Sequence, residues 1–349
     1  MDGFQACSIV NYQISIVIPT YNPNTTKLLY TLMSVVEQKR INFEIIISDD
    51  GSQEFPEQEI VNLFSKVDFK DYIVHRNTGN KGTVLNIASA FLLAKGEFIA
   101  CISPGDMFYD NLTLERFYLF ASENDLEICF GNAVHYYCLG DAAVVKESNI
   151  PRTPKLYNCK SRIVKEVLSH LRSNSINGTT YLRKRDSAIQ VINWVSKYSK
   201  YVEDTTGLRY YLAANKKIKY LPVNYTWYER GGVSNSNNDR WKTILEQDIE
   251  ITYRALKLCF PKDRVIDYAF TRRNKSQGII RSVSGVVRHP LILLIILLTK
   301  LFSINKLVID EKAQSTILND KMSYYRSLIW RTNEKDSVCN ISSDGERIE

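Results

Sequence analysis

The first part of the chain alternates short apolar runs with amphipathic stretches. Continuous apolar runs that end in polar turn residues predict strands at 14–19, 43–48, 72–75 and 98–102. Stretches with apolar residues at helical spacing predict helices at 25–36, 57–66 and 82–94. Strands and helices that alternate at this spacing predict an α/β fold, with right-handed βαβ units and a mostly parallel sheet flanked by helices.

The pattern is weaker further along the chain. We predict strands at 127–130, 177–182, 218–221 and 223–227, and helices at 161–171, 204–214 and 241–258. A polar loop rich in glycine and asparagine at 229–239 separates the last strand from the following helix. We therefore divide the chain into an α/β domain at 12–238, a helical, basic and apolar region at 239–331, and a polar, loosely ordered tail at 332–349.

Acidic residues follow two of the predicted strands. Asp49 and Asp50 come directly after the second apolar run, and Asp106 follows the fourth run in the sequence Ser-Pro-Gly-Asp. Parallel strands end at one edge of their sheet, and open α/β sheets bind ligands at that edge. The sequence therefore predicts a site where acids meet a nucleotide or a metal ion.

Charge and hydrophobicity both concentrate near the end of the chain. The 349 residues carry a formal net charge of +7. No acidic residue lies between Asp267 and Asp310, and the basic ones there are Arg272, Arg273, Lys275, Arg281, Arg288, Lys300 and Lys306. The same stretch contains an apolar run at 291–298, well short of the roughly 20 residues of a spanning helix. We interpret segment 284–302 as an interfacial anchor on anionic lipid, with a snorkelling span and a buried hairpin helix as alternatives.

Several familiar sites are absent from the sequence. No G-x-G-x-x-G or Walker pattern follows the first strand, which disfavours a dinucleotide cofactor. A nucleotidyltransferase is disfavoured because its glycine-rich phosphate loop is missing too. The seven cysteines are scattered without a Cys-x-x-Cys pair, so we predict a reducing compartment and no structural zinc. Residues 1–13 lack the basic start and apolar core of a secretion signal.

Four segments occur in an order and spacing that one enzyme family shares. They are Ile-Val-Ile-Pro-Thr-Tyr-Asn at 16–22, Ile-Ile-Ser-Asp-Asp-Gly-Ser at 46–52, Asn-Thr-Gly at 77–79 with Ala-Lys-Gly-Glu at 94–97, and Ile-Ser-Pro-Gly-Asp at 102–106. With these segments the chain resembles the family-2 glycosyltransferases of the GT-A fold, closely over its first third and more weakly to about residue 234. The resemblance implies a sheet that binds a nucleotide-diphosphate sugar at its carboxyl edge.

The resemblance also implies roles for particular residues. The implied nucleotide-binding set is Pro19, Tyr21, Asp49, Asp50, Asn77 and Gly79. Within it, Tyr21 matches the residue that packs on the base, Asp50 accepts a hydrogen bond from the base, and Asp49 is a nearby base or ribose contact. Asp106 matches the metal-contacting acid of an Asp-x-Asp-type motif whose earlier carboxylates are missing here. A divalent metal ion, Mg²⁺ or Mn²⁺, is therefore the expected cofactor.

Two further motifs complete the implied site. Glu203 and Asp204 resemble the Glu-Asp pair that supplies the family's catalytic base at a helix start. Asp204 would take the proton of an acceptor hydroxyl, with Glu203 as an orienting neighbour, although aspartate is also a favoured helix N-cap. Arg230, Gly231 and Gly232 resemble a Tyr-x-Arg-x-Gly-Gly loop in which the arginine contacts diphosphate and the glycines hinge a lid. An ordinary surface loop is the alternative.

These features predict an inverting glycosyltransferase. We expect it to move a sugar from a nucleotide-diphospho-sugar, a UDP-sugar by preference, to a hydroxyl of a lipid-linked saccharide in capsule or O-antigen synthesis. The expected location is the cytoplasmic face of a cell membrane, peripheral or partly inserted, with an anionic membrane surface as a partner and no nucleic acid. The alternative is a weakly active or inactive nucleotide-sugar-binding scaffold subunit of a polysaccharide assembly complex, which the shortened acidic motif motivates.

Overall fold

A computed structural model describes residues 11–140, 142–146, 151–171, 174–231, 239–273, 289–302 and 309–330. Its strands are β1 (Ile14–Thr20), β2 (Phe43–Asp49), β3 (Tyr72–Arg76), β4 (Phe98–Cys101), β5 (Met107–Phe108), β6 (Ile128–Leu139), β7 (Ala142–Val145), β8 (Tyr181–Lys184) and β9 (Ile218–Glu229). Its helices are α1 (Thr25–Val36), α2 (Glu57–Lys66), α3 (Thr83–Leu93), α4 (Thr113–Glu123), α5 (Arg162–His170), α6 (Arg185–Val195), α7 (Asp204–Ala213), α8 (Asp239–Cys259), α9 (Arg264–Arg273), α10 (Pro290–Phe302) and α11 (Glu311–Trp330).

The nine strands form one sheet. Their order is β3-β2-β1-β4-β8-β6-β9-β5, with β7 paired to β6. Strands β1 to β4 are parallel, and their register sets Thr20 beside Asp49 and Val17 beside Cys101. Strand β8 runs antiparallel to both β4 and β6, so the sheet becomes mixed beyond β4. The carboxyl ends of β1, β2 and β4 therefore lie at one edge, next to the acidic motifs.

Helices cover both faces of the sheet because its central strands are apolar on both sides. Every residue of β2, for example, is buried. One face packs against α1, α2, α4 and α11 through side chains that include Leu32, Phe64 and Phe117. The other face packs against α3, α6 and α7, with Phe91 and Leu208 in the shared core. The predicted α/β fold, a mostly parallel sheet flanked by helices, is confirmed.

The second half of the sheet differs from the predicted pattern. Two short strands were predicted on either side of Pro222, but β9 runs through this residue without a break. Its parallel pairing with β6 shifts register between Phe130 and Asn132, which leaves room for the missing proline N–H. Four elements escaped prediction altogether, namely α4, α6, β5 and β7.

The last two helices pack against the α/β body. Helix α10 uses Ile292 and Ile296 to contact Val167 of α5 together with Val265 and Tyr268 of α9. Helix α11 buries Leu318, Met322, Tyr325 and Ile329 in the same core as α1. Among the described residues, no helix is long and apolar enough to cross a bilayer. The tail at 332–349 and residues 284–288 of the predicted anchor lie outside the described residues.

Candidate active site

A cleft of about 410 Å³ opens at the carboxyl edge of β1, β2 and β4. Its lining residues are Pro19, Thr20, Tyr21, Asp50, Thr83, Asn86, Ile87, Cys101, Ser103, Pro104, Asp106, Asn177, Gly178, Thr179, Tyr201, Glu203, Asp204, Tyr228 and Glu229. The cleft thus brings together six of the residues that the sequence singled out: Pro19, Tyr21, Asp50, Asp106, Glu203 and Asp204. Four others, Asp49, Asn77, Gly79 and Arg230, lie behind or beside its walls.

Asp50 anchors one end of the cleft. Its Oδ1 accepts hydrogen bonds from the Lys81 backbone N–H at 2.9 Å and from Asn77 Nδ2 at 3.2 Å, and its Oδ2 accepts from the Gly82 N–H at 2.9 Å. The carboxylate is buried but keeps one side on the cleft. These bonds fix its direction, so it can present an acceptor to a polar ligand edge.

Asp49, Asn77 and Gly79 support this end rather than line it. Asp49 is fully buried and accepts from the Ser52 N–H at 2.9 Å and from Arg76 Nε at 3.3 Å. Asn77 joins Asp50 to Asn86, with 3.1 Å between Asn77 Nδ2 and Asn86 Oδ1. A Cβ on Gly51 would lie 2.6 Å from Gly79 Cα, so the two loops can approach closely because residue 51 is glycine.

Tyr21 forms an exposed wall beside Asp50. Its side chain is 52% exposed, an unusual value for a large aromatic residue at the end of a buried strand. The loop that carries it is tied to the next one, since the Asn22 N–H donates to Ser52 Oγ at 2.7 Å. The ring is therefore available to stack on a flat ligand group.

Asp106 and Glu229 form the opposite end of the cleft. Asp106 Oδ1 accepts the backbone N–H of Glu229 at 2.9 Å, and Lys27 Nζ lies 2.6 Å from Glu229 Oε1. Burial raises the pKa of Asp106 to about 8, and the nearby Glu229 charge adds to the shift. The neighbouring loop can approach because Gly105 has a φ of +101°, and a Cβ there would lie 2.1 Å from Glu229 Oε2.

The chemistry of this end suits a divalent cation. Two carboxylates lie close together, and burial and the Glu229 charge both disfavour the ionised form of Asp106, so a bound cation would stabilise it. The described residues contain no cluster of three or more acidic, histidine or cysteine ligands. Mg²⁺ and Mn²⁺ often use one or two carboxylates and take their other ligands from phosphate and water. Asp106 and Glu229 therefore fit a metal that arrives with a diphosphate.

Asp204 lies across the cleft, at the first residue of α7. Its Oδ1 accepts the Thr205 N–H at 2.6 Å, and its Oδ2 accepts the Gly178 N–H at 3.3 Å. A carboxylate at a helix N-terminus is stabilised as the anion by the helix dipole. The N-cap position of α7 is taken by Glu203, and the Asp204 side chain is only partly buried and faces the cleft. Asp204 is therefore not the N-cap residue, and its carboxylate is placed where a base could reach a bound ligand.

The adjacent Glu203 belongs to a buried ion pair. Arg183 of β8 donates to Glu203 Oε1 and, at 3.0 Å, to Cys101 Sγ. The guanidinium lies 4.8 Å from the ring centroids of both Phe91 and Tyr181. Burial raises the pKa of Glu203, and the charge of Arg183 opposes that rise. The pair therefore fixes the residue before Asp204 from below the floor of the cleft.

The arginine of the glycine-rich loop turns away from the cleft. Arg230 Nε lies 3.0 Å from His135 Nδ1, and its backbone N–H donates to the Tyr136 carbonyl at 2.8 Å. Burial and the Arg230 charge lower the pKa of His135 to about 4. Gly231 has a φ of +133° and is exposed, whereas Gly232 lies outside the described residues. The diphosphate and lid roles of these three residues stay predictions.

Three residues of the site were not found from the sequence. Lys27, Glu229 and Arg183 are separated by long stretches of chain and meet only through folding. Arg183 directly follows the strand predicted at 177–182 and begins the basic run Arg-Lys-Arg, so nothing in the sequence marked it as part of the site. Glu229 lies beside a motif, which was a weak signal, and Lys27 had no signal.

Comparisons with known proteins agree with this architecture. Residues 15–177 match the family model described as Glycosyl transferase family 2. The chain is 32% identical to glycosyltransferase GlyG of Streptococcus pneumoniae serotype 4 over 125 residues, which is 35% of this chain and 40% of that protein. It is 27% identical to the poly(ribitol-phosphate) beta-glucosyltransferase of Bacillus spizizenii over 225 residues, which is 61% of this chain and 34% of that protein. The matches thus span two fifths or less of these relatives.

A solved structure extends the agreement over most of the chain. S. aureus TarS, in complex with UDP-GlcNAc, superposes with a TM-score of 0.53 at 15% identity, covering 91% of this chain and 81% of that one. At this identity the likeness concerns the fold. It confirms the predicted GT-A architecture.

Proposed function

We propose that the chain, whose residues 15–177 match the glycosyl transferase family 2 model, is an inverting glycosyltransferase of this family that uses a nucleotide-diphospho-sugar. The observation that carries the proposal is one cleft of about 410 Å³ lined at separate points by Asp50, Asp106 and Asp204. These three carboxylates suit the three tasks of the reaction, which are to hold the nucleotide, to neutralise the diphosphate and to activate the acceptor. TarS, with its bound UDP-GlcNAc, is a reason to choose UDP as the nucleotide of first test.

The donor would lie along the cleft with its base between Tyr21 and Asp50. The exposed Tyr21 ring offers a stacking surface, and the fixed Asp50 carboxylate offers an acceptor for a base N–H. Uracil has one such N–H next to its carbonyl groups. Asp49 and Asn77 act indirectly, by holding Asp50 and its loop.

Asp106 and Glu229 would hold the metal ion at the diphosphate. Bound there, Mg²⁺ or Mn²⁺ neutralises the charge that develops on the leaving diphosphate. Lys27 pairs with Glu229 at 2.6 Å and is 42% exposed, so it adds a positive charge at the same end. We assign to it a share in holding the diphosphate.

Asp204 would act as the general base. Its carboxylate takes the proton of the acceptor hydroxyl as that oxygen attacks the anomeric carbon, and the bond to the diphosphate oxygen breaks in the same displacement. Configuration at the anomeric carbon inverts because only one displacement occurs. Glu203, held by Arg183, keeps the start of α7 in place during this step.

Replacing the base tests this proposal. Asp204→Asn keeps an acceptor for the Thr205 N–H but cannot take a proton, so we expect turnover to fall about 10²- to 10⁴-fold. Released UDP is measured with UDP-glucose, UDP-galactose and UDP-N-acetylglucosamine, and UDP binding is measured by calorimetry with Mn²⁺. Near-normal turnover by the variant would exclude Asp204 as the base. Wild-type protein that binds UDP but turns over no donor with any saccharide acceptor would favour the scaffold role.

We further propose that the acceptor is lipid-linked, that the chain acts in surface-polysaccharide synthesis, and that it works at the cytoplasmic face of the membrane. The support is a surface of α10 that we name the leucine ridge. It consists of Leu291, Leu294, Leu297, Leu298 and Leu301, which are 40–64% exposed. The opposite face of α10 packs on α9, whose last residues Arg272 and Arg273 are exposed basic groups. An exposed apolar face, with basic residues on the helix packed behind it, suits a bilayer with anionic lipid.

Vesicle binding tests the ridge. Burying the exposed half of one leucine contributes about 1 kcal/mol, so Leu294→Ser with Leu297→Ser should lower partition about 30-fold. Vesicles contain phosphatidylglycerol and phosphatidylcholine in equal parts. Leu92→Ser is the matched control, since Leu92 is 64% exposed on a helix of the α/β domain. Equal partition of wild type, double variant and control would refute the ridge as the membrane contact.

A further inference from the structure

Helix α8 holds the turn that precedes the catalytic pair. We name residues 199–202 the base turn, because Glu203 and Asp204 follow it directly. The carboxylate of Asp248, on α8, accepts four hydrogen bonds from this turn. Three come from backbone N–H groups, with distances of 2.8 Å from Lys200, 2.9 Å from Tyr201 and 3.0 Å from Val202. The fourth comes from Ser199 Oγ at 2.6 Å.

The Asp248 carboxylate, rather than a regular helix or strand, holds the backbone of the base turn in its conformation. Within the turn, the Val202 N–H donates to Ser199 Oγ at 3.0 Å, and Ser199 Oγ donates to the Val202 carbonyl at 3.2 Å. Asp248 is 7% exposed, so its bonds are shielded from competition with water. Hydrogen bonds to a buried charged acceptor contribute more than neutral ones. The conformation of residues 199–202 therefore depends on one side chain of another helix.

The base turn also contacts the loop that holds Asp50. The Val84 N–H donates to the Lys200 carbonyl at 3.0 Å. A Cβ on Gly82 would lie 2.6 Å from Lys200 Cγ, so the lysine stem lies directly on the glycine backbone. The Gly82 N–H is in turn bonded to Asp50 Oδ2 at 2.9 Å. The turn is thus the bridge between the nucleotide end of the cleft and Asp204.

A second contact joins α8 to the cleft wall. Trp241, in the first turn of α8, meets Tyr201 edge-on with 4.7 Å between ring centroids. Tyr201 lines the cleft, so the same helix sets both the backbone and the aromatic side chain of the base turn. Helix α8 follows the glycine-rich segment in the chain and lies outside the residues that match the family model.

We propose that Asp248 is a positioning residue that fixes the base turn and so sets the distance between Asp204 and the bound donor. The proposal rests on the proposed role of Asp204 as the base. A misplacement of about 1 Å at a reacting group can reduce turnover about 100-fold. Loss of the hydrogen bonds from the base turn to Asp248 should therefore lower kcat. Nucleotide binding, which depends on Tyr21 and Asp50, should change little.

Asp248→Asn tests the proposal because the asparagine NH₂ group is itself a donor. It cannot accept a hydrogen bond from at least one of the four donors of the base turn. With the fastest UDP-sugar of the panel, we expect kcat to fall about 10- to 100-fold, while the Kd for UDP stays within about threefold. Ser199→Ala removes one bond and should give a smaller loss in the same direction. Asp263→Asn is the matched control: Asp263 is 8% exposed and accepts the Val265 and Ile266 N–H groups at 2.9 and 3.1 Å, away from the cleft.

The possible outcomes distinguish the positioning role of Asp248 from the proposed role of Asp204, on which it depends. If Asp248→Asn lowers the melting temperature as Asp263→Asn does and leaves kcat unchanged, Asp248 is structural and the positioning role is wrong. If Asp204→Asn is inactive but Asp248→Asn is normal, only the positioning role fails. If Asp204→Asn turns over normally, or the wild type turns over no donor, the proposed function fails and the role of Asp248 fails with it.

Discussion

Asp106→Asn should stabilise the metal-free protein at high pH while it removes the response to metal. In the folded protein, burial raises the pKa of Asp106 from 3.8 to about 8. The folded chain therefore binds a proton that the unfolded chain releases. Below pH 3.8 Asp106 is protonated in both states, so the gain in stability from the substitution vanishes. The stability contributed by the neutral carboxyl is lost progressively as the pH rises, until about pH 8.

The size of the effect follows from this pKa difference. At about 1.4 kcal/mol per pKa unit, the rise from 3.8 to about 8 corresponds to about 6 kcal/mol. The cleft is open to water, which offsets part of the penalty, so we expect about 2 to 4 kcal/mol. Asparagine keeps an oxygen for the Glu229 N–H and removes the charge. For a chain of this size, with an unfolding entropy of about 2.1 cal/mol/K per residue, the gain corresponds to a melting temperature about 3 to 5 °C higher at pH 9 and little change at pH 4.

The assay is thermal unfolding of both proteins from pH 4 to 9, with and without Mn²⁺. Wild-type protein with Mn²⁺ and UDP at about 100 times their Kd should gain about 2.7 kcal/mol, and the variant should gain much less. Metal binding should strengthen as pH rises, because the proton on Asp106 must leave first. This arm reads ligand binding directly and needs no turnover.

Glu166→Gln is the matched control. Burial raises the pKa of Glu166 to about 8 as well, yet this residue lies on α5 outside the cleft. Its replacement should reproduce the pH-dependent stabilisation and keep the full Mn²⁺ response. The roles assigned to Asp106 and Glu229 would be refuted if the difference in stability between Asp106→Asn and the wild type did not depend on pH. They would also be refuted if the variant responded to metal as the wild type does.

Three further substitutions probe other parts of the site. Asp50→Asn removes a charged acceptor, so the Kd for UDP should rise at least about tenfold in calorimetry; an unchanged Kd would contradict the nucleotide role. Arg183→Met leaves Glu203 buried without its cation and should cost about 3 to 5 kcal/mol in denaturant unfolding, whereas a neutral effect would show that the pair is dispensable. Gly105→Ala places a Cβ against the Glu229 carboxylate at a φ of +101° and should weaken Mn²⁺ binding; unchanged binding would remove Glu229 from the metal end.

The sequence predicted well those elements whose own residues decide their structure. Strand β2 is buried on both faces, so its apolar run was continuous, and α2 has the predicted bounds. Helix α6 was missed although its buried residues Ala188, Val191, Ile192 and Val195 have helical spacing, because Arg185 and Asp186 at its start resemble a loop. Pro222 misled the prediction of β9, since an exposed position where pairing shifts register tolerates a missing N–H.

Predictions for the site were limited by tertiary contact. Motif order was enough to bring Asp50, Asp106 and Asp204 into one cleft, because strand ends and helix starts converge at a single edge. It assigned both Asp50 and Asp49 to the nucleotide, and it could not reveal that Arg76 and Ser52 hold Asp49 behind the wall that Asp50 lines. Nor could it reveal that Asp248 reaches residues 199–202 or that Lys27 reaches Glu229, since these pairs share no local pattern.

The packing of α11 on α1 has a consequence for how the protein folds in the cell. Arg326 bonds to the Tyr30 hydroxyl at 3.2 Å across 296 residues of chain, and Lys66 reaches the Ile329 carbonyl at 2.8 Å. At a synthesis rate of roughly 5 to 20 residues per second, α1 waits about 15 to 60 s on the ribosome before its covering helix exists. During that time an apolar face stays open to chaperones and to misfolding. This part of the core is therefore closed only after α11 has been made, through contacts that are distant in the sequence.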